Sequence, residues 1–316
     1  MWERPYALTW LDNQSDEFKL WWEIRKMGEQ GRRTGCGITA LGDMYAALGV
    51  EYGNKEITER LFYTKLQAEL DATIDMSIIR GSFPLWDSAL EYIDSDLTGG
   101  NDWYTFIQDK FPEQYKRMVK YGRRNSSFST VAPTGSISLL TGTTSGIEPL
   151  FKPYYIRRKK CNPGETPTFV DQNGVGFKEY NVLHPKFKEW FIIASQCKDC
   201  PDVALGILKG ASKEQLEELF KESPWYKQTA EDINWEVRVD TQGIIQKYIT
   251  SSISSTVNLP KGTSKEIVEN LYNRAIDKGL KGITCYVDGS RSGILVDTKS
   301  VKSEEIFVQH KAPKRP

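Results

Sequence analysis

The feature that most constrains the fold is a strand–helix–strand pattern near the C-terminal end. Residues Ile253–Leu259 and Gly282–Val287 are short and rich in β-branched residues, as strands are. Between them, Thr263–Glu266 matches a helix capping box, and a helical pattern runs from there to Gly279. Its apolar positions are Ile267, Leu271 and Ala275. Two strands joined through one helix pair in parallel with a right-handed crossover. The pattern therefore predicts an α/β fold.

A second pattern, Ser126–Pro149, combines a strand with a turn that suits an anion. Ser127–Val131 alternates small residues with β-branched and aromatic ones, and Pro133 ends the strand. A helix should begin directly after it, and a helix N-terminus offers unpaired N–H groups and partial positive charge. The turn predicts either a phosphate site or an ordinary N-cap. The substrate-binding candidates are Pro133, Thr134, Gly135, Ser136 and Ile137, and the hydroxyls of Thr134, Ser136 and Ser138 would add further donors.

Further helices are predicted along the chain. They cover residues 14–29, 41–48, 57–76 and 103–121, the last interrupted near Pro112, and a capping box at Ser212–Gln215 opens another. In the helix over 57–76, the candidate core positions are Leu61, Leu66 and Leu70. The segment 152–181 is rich in Pro, Gly and Asn, which indicates an excursion with a hairpin around Asn173–Gly174.

Composition narrows the compartment and the partners. The 42 basic and 42 acidic residues balance, so no overall charge attracts nucleic acid. Five cysteines do not form a disulfide scaffold, and the N-terminus lacks the pattern of a signal peptide. No apolar stretch approaches the ~18 residues of a membrane span. We expect a cytoplasmic protein that binds neither nucleic acid nor membrane, with a flexible tail over 296–316.

Other candidate chemistry is sparse. Cys197 and Cys200 form a C-x-x-C, which serves zinc or redox sites or is simply a pair of free thiols in a peripheral insertion. We favour free thiols, because zinc needs further ligands and neither Cys161 nor His184 matches a known spacing. With His310 as the second histidine, a His-based triad or metal site is not indicated. No metal site is predicted.

Several segments occur together and in a fixed order. They read RRTGCGITAL at 32–41, RGSFP at 80–84, GRRN at 122–125, GIEP at 146–149, SSTVNLP at 254–260 and KGITCYVDGSR at 281–291. With the phosphate turn, they resemble the large chains of ribonucleotide reductases, in particular the adenosylcobalamin-dependent class II enzymes. The resemblance runs from about residue 20 to about 296. It implies the second half of a ten-stranded α/β barrel over residues 1–295, with an insertion at about 152–235.

The resemblance implies a function and also a missing part. The family reduces ribonucleotides to deoxyribonucleotides by thiyl-radical chemistry, with Pro133–Ile137 holding the substrate phosphate. Its radical forms on an Asn-x-Cys-x-Glu loop upstream of the segment at 32–41, and no such loop precedes Arg32 here. Cys161–Glu165 has similar letters in the wrong order and is interpreted as a turn. We therefore expect no catalytic residue in this chain. The loop would lie on a companion chain or in a stretch that is missing from this sequence.

Cofactor, reductant and substrate follow from the same resemblance. It implies adenosylcobalamin as the radical source and an external dithiol such as thioredoxin, with a di- or triphosphate substrate left open. Class I chains carry two adjacent tyrosines where this chain has Cys285 and Tyr286, so their radical path would be broken here. Tyr286 is a candidate pocket residue or a core aromatic. The alternative function is a non-catalytic nucleotide-binding or subunit-assembly module.

Overall fold

A computed structural model of the chain describes residues 15–87, 102–162, 164–170 and 176–288. The helices are α1 (Asp16–Gly31), α2 (Leu41–Ala47), α3 (Lys55–Arg80), α4 (Asp102–Lys110), α5 (Pro112–Tyr121), α6 (Gly135–Thr141), α7 (Pro185–Ala194), α8 (Pro201–Gly210), α9 (Lys213–Lys221), α10 (Trp235–Gln246) and α11 (Lys265–Asp277). The strands are β1 (Tyr154–Lys160), β2 (Phe169–Val170), β3 (Gly176–Leu183), β4 (Thr256–Leu259) and β5 (Thr284–Val287). The predicted tail at 296–316 and the predicted turn at Asn173–Gly174 lie outside the described residues.

The predicted strand–helix–strand unit is present. Strands β4 and β5 pair in parallel, from Thr256 opposite Thr284 to Leu259 opposite Val287, and α11 connects them. The predicted capping box does not form, because the helix begins one residue later and Ile267, which has no polar side chain, takes the N3 position. Ser264 is the N-cap, and its hydroxyl accepts the N–H of Ile267 at 3.4 Å. On one face of α11, Leu271 and Ala275 are buried against β4.

The predicted strand at 127–131 forms isolated bridges rather than a continuous ladder. Ser129 bridges Cys36, and Val131 bridges Ile253, both in parallel. The hydroxyl of Thr250 accepts the N–H groups of Phe128 and Ser129 at 3.1 and 2.9 Å. A side-chain oxygen thus replaces a backbone partner, which explains the irregular pairing. In the described ranges, single parallel bridges link the segments around residues 36, 129 and 253, and β4 pairs in parallel with β5.

Helix α3 supplies much of the main core. Leu66 and Leu70 are fully buried as predicted, whereas Leu61 is half-buried. The helix is longer than predicted because Asn54 caps its start, accepting the N–H of Ile57 at 3.1 Å. Fully burying one such leucine contributes about 1.5–3 kcal/mol. The predicted interruption near Pro112 is confirmed, because α4 and α5 meet at the buried Phe111.

Residues between Leu150 and Thr229 build a separate cluster beside this core. Strands β1, β3 and β2 form an antiparallel sheet in that order. Helices α7 to α9 follow and share an apolar cluster that includes Phe187, Leu208 and Leu216. The capping box at Ser212 is confirmed in full. The chain leaves the main core at Leu150 and returns to it at Thr229, and these two residues lie side by side in a parallel bridge.

Candidate functional site

Two short helices begin close together, and both begin in an unusual way. Ala40 precedes α2 with φ 68° and ψ 22°, and Thr134 precedes α6 with φ 53° and ψ 21°. Non-glycine residues rarely adopt this left-handed region, least of all β-branched ones. Surrounding contacts must hold Thr134 there. Its hydroxyl accepts the N–H of Gly146 at 2.7 Å and lies 3.3 Å from the hydroxyl of Thr39.

Counting protons shows that the Thr134 hydroxyl is fully used. The Thr39 hydroxyl donates its one proton to the carbonyl of Thr144 at 2.8 Å. In the Thr39–Thr134 contact, the donor must therefore be Thr134, since a hydroxyl has one proton. Thr134 thus donates to Thr39 and accepts from Gly146. It fixes the turn and has no proton left for a ligand.

The turn at Pro133–Ile137 is nevertheless open to an anion. Thr134 makes no side-chain cap to α6, so the ordinary N-cap interpretation does not describe this helix. Within the described ranges, the N–H groups of Gly135, Ser136 and Ile137 have no acceptor. These three residues and Pro133 are exposed, and Thr134 is half-buried. The available donors are three backbone N–H groups and the Ser136 hydroxyl.

Ser138 does not belong to this group of donors. Its side chain is buried, and its hydroxyl donates to the carbonyl of Gly135 at 3.1 Å or shares a proton with Ser145 at 2.8 Å. The expectation that Ser138 adds a donor is therefore wrong. The helical period explains the error, because residue 138 lies one turn inside the helix and faces the protein.

Asp43 organises the neighbouring turn, and the sequence interpretation missed it. The carboxylate accepts the N–H of Thr144 at 2.7 Å and the indole N–H of Trp225 at 3.1 Å. His184 lies beside it, with Nδ1 3.9 Å from Oδ1 of Asp43. Burial lowers the pKa of His184, and the Asp43 charge opposes that shift. An acidic residue in the first turn of a helix was the available signal.

A buried arginine ties the Gly146–Pro149 turn to β4. Arg238 is 3% exposed, donates to the carbonyl of Thr256 at 2.8 Å, and lies over the ring of Tyr52 at 5.4 Å. Tyr52 donates to the carbonyl of Ile147 at 2.6 Å, and burial raises the pKa of its phenol. The Glu148 carboxylate accepts the N–H of Thr256 at 2.8 Å. These contacts give Glu148 a structural role.

Cys285 and Tyr286, the two middle residues of β5, face opposite sides of the sheet. Cys285 packs on the α11 side, with its sulfur 3.6 Å from the hydroxyl of Tyr272. Tyr286 alternates to the other side. There it lines a cavity of about 240 Å³ together with Phe151, Asn258 and Lys261. The candidate pocket residue thus borders a cavity.

The described residues contain neither a cluster of metal ligands nor a helix that could span a membrane. No group of three or more His, Cys, Asp or Glu side chains converges there. The five cysteines carry free thiols, and those of Cys36 and Cys200 are exposed. No helix in these ranges is long and apolar enough to cross a membrane.

The parallel strands β4 and β5 and the helix that connects them place the chain in the α/β class. The family model "Ribonucleotide reductase, barrel domain" matches residues 5–286. The chain therefore belongs to the ribonucleotide reductase barrel-domain family.

Relatives carry matching names. A "Vitamin B12-dependent ribonucleoside-diphosphate reductase" of Thermoplasma acidophilum is 27% identical over 95% of this chain and 35% of its own length. A protein of the same name from Mycobacterium tuberculosis is 27% identical over 94% of this chain and 37% of its own length. A "Ribonucleoside-diphosphate reductase subunit alpha" of Chlamydia pneumoniae is 24% identical over 96% of this chain and 29% of its own length. The resemblance to the class II enzymes is confirmed, and the chain spans about a third of the length of these relatives.

Proposed function

We propose that this chain takes part in reducing ribonucleotides to deoxyribonucleotides by thiyl-radical chemistry and supplies the cradle for the substrate phosphate. The open turn before α6 is the observation that carries the proposal. The family membership supports the reaction class, and the relatives' names support a cobalamin-dependent form. Residues 1–295 would form the second half of a ten-stranded barrel, with the segment at about 152–235 as an insertion.

In the cradle, each group of Pro133–Ile137 has a distinct task. The N–H groups of Gly135, Ser136 and Ile137 and the hydroxyl of Ser136 donate to phosphate oxygens. Thr134 holds the turn through Thr39 and Gly146. Pro133 ends the preceding extended segment so that the helix points its N-terminus outward. A hydrogen bond to a charged oxygen contributes about 1.5–3 kcal/mol.

The remaining parts of the reaction come from outside this chain. A companion chain carries the Asn-x-Cys-x-Glu loop, and an external dithiol such as thioredoxin supplies electrons. Adenosylcobalamin, when bound, supplies the initiating radical. Tyr286, which lines a cavity beside Asn258, would be a pocket residue for the substrate.

Mixing the two chains tests this function. The isolated chain, given adenosylcobalamin and dithiothreitol, should form no deoxynucleotide, and addition of a companion with the Asn-x-Cys-x-Glu loop should restore turnover. Deoxynucleotide formation by the pure chain would contradict the predicted division of labour.

The second candidate is a non-catalytic nucleotide-binding or subunit-assembly module, which the open turn also favours. That module would bind nucleotides, yet the mixture with the companion would remain inactive. Turnover of the mixture would rule it out.

A further inference from the structure

The C-x-x-C pair lies at the corner between α7 and α8, where it closes a tight turn. Helix α7 ends at Ala194. Gln196, two residues later, has φ 56°, and the N–H of Cys197 donates back to the carbonyl of Ile192 at 3.1 Å. The N–H of Cys200 donates to the carbonyl of Cys197 at 3.1 Å. Residues that flank such a turn have Cα atoms within about 7 Å. Disulfides span about 4.4–6.8 Å between Cα atoms, so this turn brings the pair close to bonding range.

The two thiols contact each other but differ in exposure. Their hydrogen bond raises the pKa of the Cys200 thiol. Cys200 is exposed and is the N-cap of the ten-residue helix α8, whereas Cys197 is half-buried against the apolar cluster of α7 to α9. Lys198, between them, is exposed and adds a positive charge beside an ionised sulfur. One sulfur is therefore accessible, and the second is held beside it.

We propose that Cys197 and Cys200 form a reversible thiol–disulfide site whose oxidant is the disulfide of a small thiol. One cysteine thiolate attacks a sulfur of that disulfide, and the first small thiol leaves with a proton. The other cysteine, as its thiolate, then attacks the mixed disulfide and expels the second small thiol. Two protein thiols are oxidised to one disulfide, and one external disulfide is reduced to two thiols. The bond would lock the corner between α7 and α8.

Trypsin makes the test specific, because it cleaves after Lys198, between the two cysteines. The folded chain is incubated with mixtures of reduced and oxidised glutathione, and remaining thiols are alkylated. After digestion, we expect peptides 189–198 and 199–209 to be joined by a disulfide. Circular dichroism of the oxidised chain should show an unchanged helix content. The single variants Cys197→Ser and Cys200→Ser should instead retain glutathione on the remaining cysteine.

Cys36 serves as the internal control, because it is an exposed thiol outside any C-x-x-C. It should carry an alkyl group or glutathione and should not be joined to another peptide. The proposal is overturned if peptides 189–198 and 199–209 remain separate at every glutathione ratio that modifies Cys36. It is equally overturned if they become joined only after the chain is unfolded in urea.

Discussion

The N-terminal turns of α2 and α6 share a backbone conformation but differ in how their N–H groups are used. Each helix has seven residues and follows a left-handed residue, Ala40 or Thr134. At α2 the protein provides acceptors. The backbone N–H of Ala40 donates to the carbonyl of Thr144 at 2.9 Å, and the backbone N–H of Asp43 donates to the hydroxyl of Thr144 at 3.3 Å. At α6, the N–H groups of residues 135–137 find no acceptor in the described part of the chain.

The difference arises from tertiary structure rather than from the turns themselves. The loop after α6 folds over the start of α2, and Gly42 allows this approach because a Cβ there would lie 2.8 Å from the carbonyl oxygen of Glu148. A Cβ on Gly135 would meet no atom within 4 Å. Substitutions at the closed turn should therefore change stability. Substitutions at the open turn should change ligand binding.

The largest expected effect is on the closed turn. Asp43→Asn keeps the shape but puts an amide where a carboxylate accepts from Thr144 and Trp225. At least one buried donor loses its acceptor, so we expect a loss of about 2–4 kcal/mol in the free energy of unfolding. Urea unfolding measures it. Asp71→Asn is the control, because the Asp71–Arg117 pair is only half-buried and water can replace the lost contact, so this substitution should cost about 1 kcal/mol or less. Equal losses in the free energy of unfolding for Asp43→Asn and Asp71→Asn would show that the contacts of Asp43 contribute no more than a half-buried ion pair.

The open turn should show the opposite behaviour. Ser136→Ala should weaken nucleotide binding to the reconstituted complex by roughly ten- to hundredfold, because a hydroxyl donor to a charged oxygen is lost. Gly135→Val should weaken it further by crowding the phosphate. Calorimetry with the nucleotide and with the unphosphorylated nucleoside gives the comparison, and the nucleoside should be insensitive. The free energy of unfolding of Ser136→Ala should stay within about 0.5 kcal/mol of that of the unsubstituted chain. Equal losses for both ligands would mean that the turn binds no phosphate.

Thr134 connects the two turns, so its substitution should have an intermediate effect. Thr134→Ala leaves the N–H of Gly146 without its acceptor and should cost about 1–2 kcal/mol of stability. Thr134→Ser keeps the hydroxyl and should recover most of the loss. Denaturant unfolding measures the free energies of unfolding of Thr134→Ala and Thr134→Ser. A Thr134→Ser variant as unstable as Thr134→Ala would show that the methyl group, not the hydroxyl, holds the turn.

The smallest expected effect is a pH dependence at the closed turn. Burial lowers the pKa of His184 in the folded chain, so the unfolded chain takes up a proton first as pH falls. Because of His184, the free energy of unfolding should decline once the pH drops below about 6.5, the pKa of a histidine in the unfolded chain. His184→Gln should reduce that decline. Unfolding at pH 7.5 and 5.5 in both proteins measures the difference, and a steeper decline in His184→Gln would contradict the assignment.

Local patterns were enough to predict most elements. The strand–helix–strand unit is visible in sequence because β-branched runs and capping residues act locally, and the buried positions Leu66 and Leu70 follow from helical spacing. The predicted box at Thr263 failed by one residue because two adjacent hydroxyl residues both suit an N-cap. The strand at 127–131 became isolated bridges because Thr250 intervenes, and such a contact between distant residues has no local signature.

The candidate turn was located from sequence, but its internal roles were not. Local chemistry marked Thr134, Ser136 and Ser138 as equivalent hydroxyls. The fold separates them, since Thr134 is committed to Thr39 and Gly146, Ser138 is buried, and Ser136 alone of the three is exposed. Each assignment depends on residues far away in the chain. The role of Asp43 was missed for the same reason, because its partners Thr144 and Trp225 lie far from it in the sequence.

The meeting of Leu150 with Thr229 has a consequence for how such a chain can change over evolution. The N–H of Ala230 donates to the carbonyl of Leu150 at 2.8 Å, so everything between enters and leaves through one narrow point. Lengthening a flexible connection between fixed ends is cheap, about 0.6 kcal/mol per doubling. Segments could therefore be exchanged, enlarged or trimmed here while the register of the parallel segments is inherited unchanged. Trp225, bonded to Asp43, is the contact that a transplanted segment would have to reproduce.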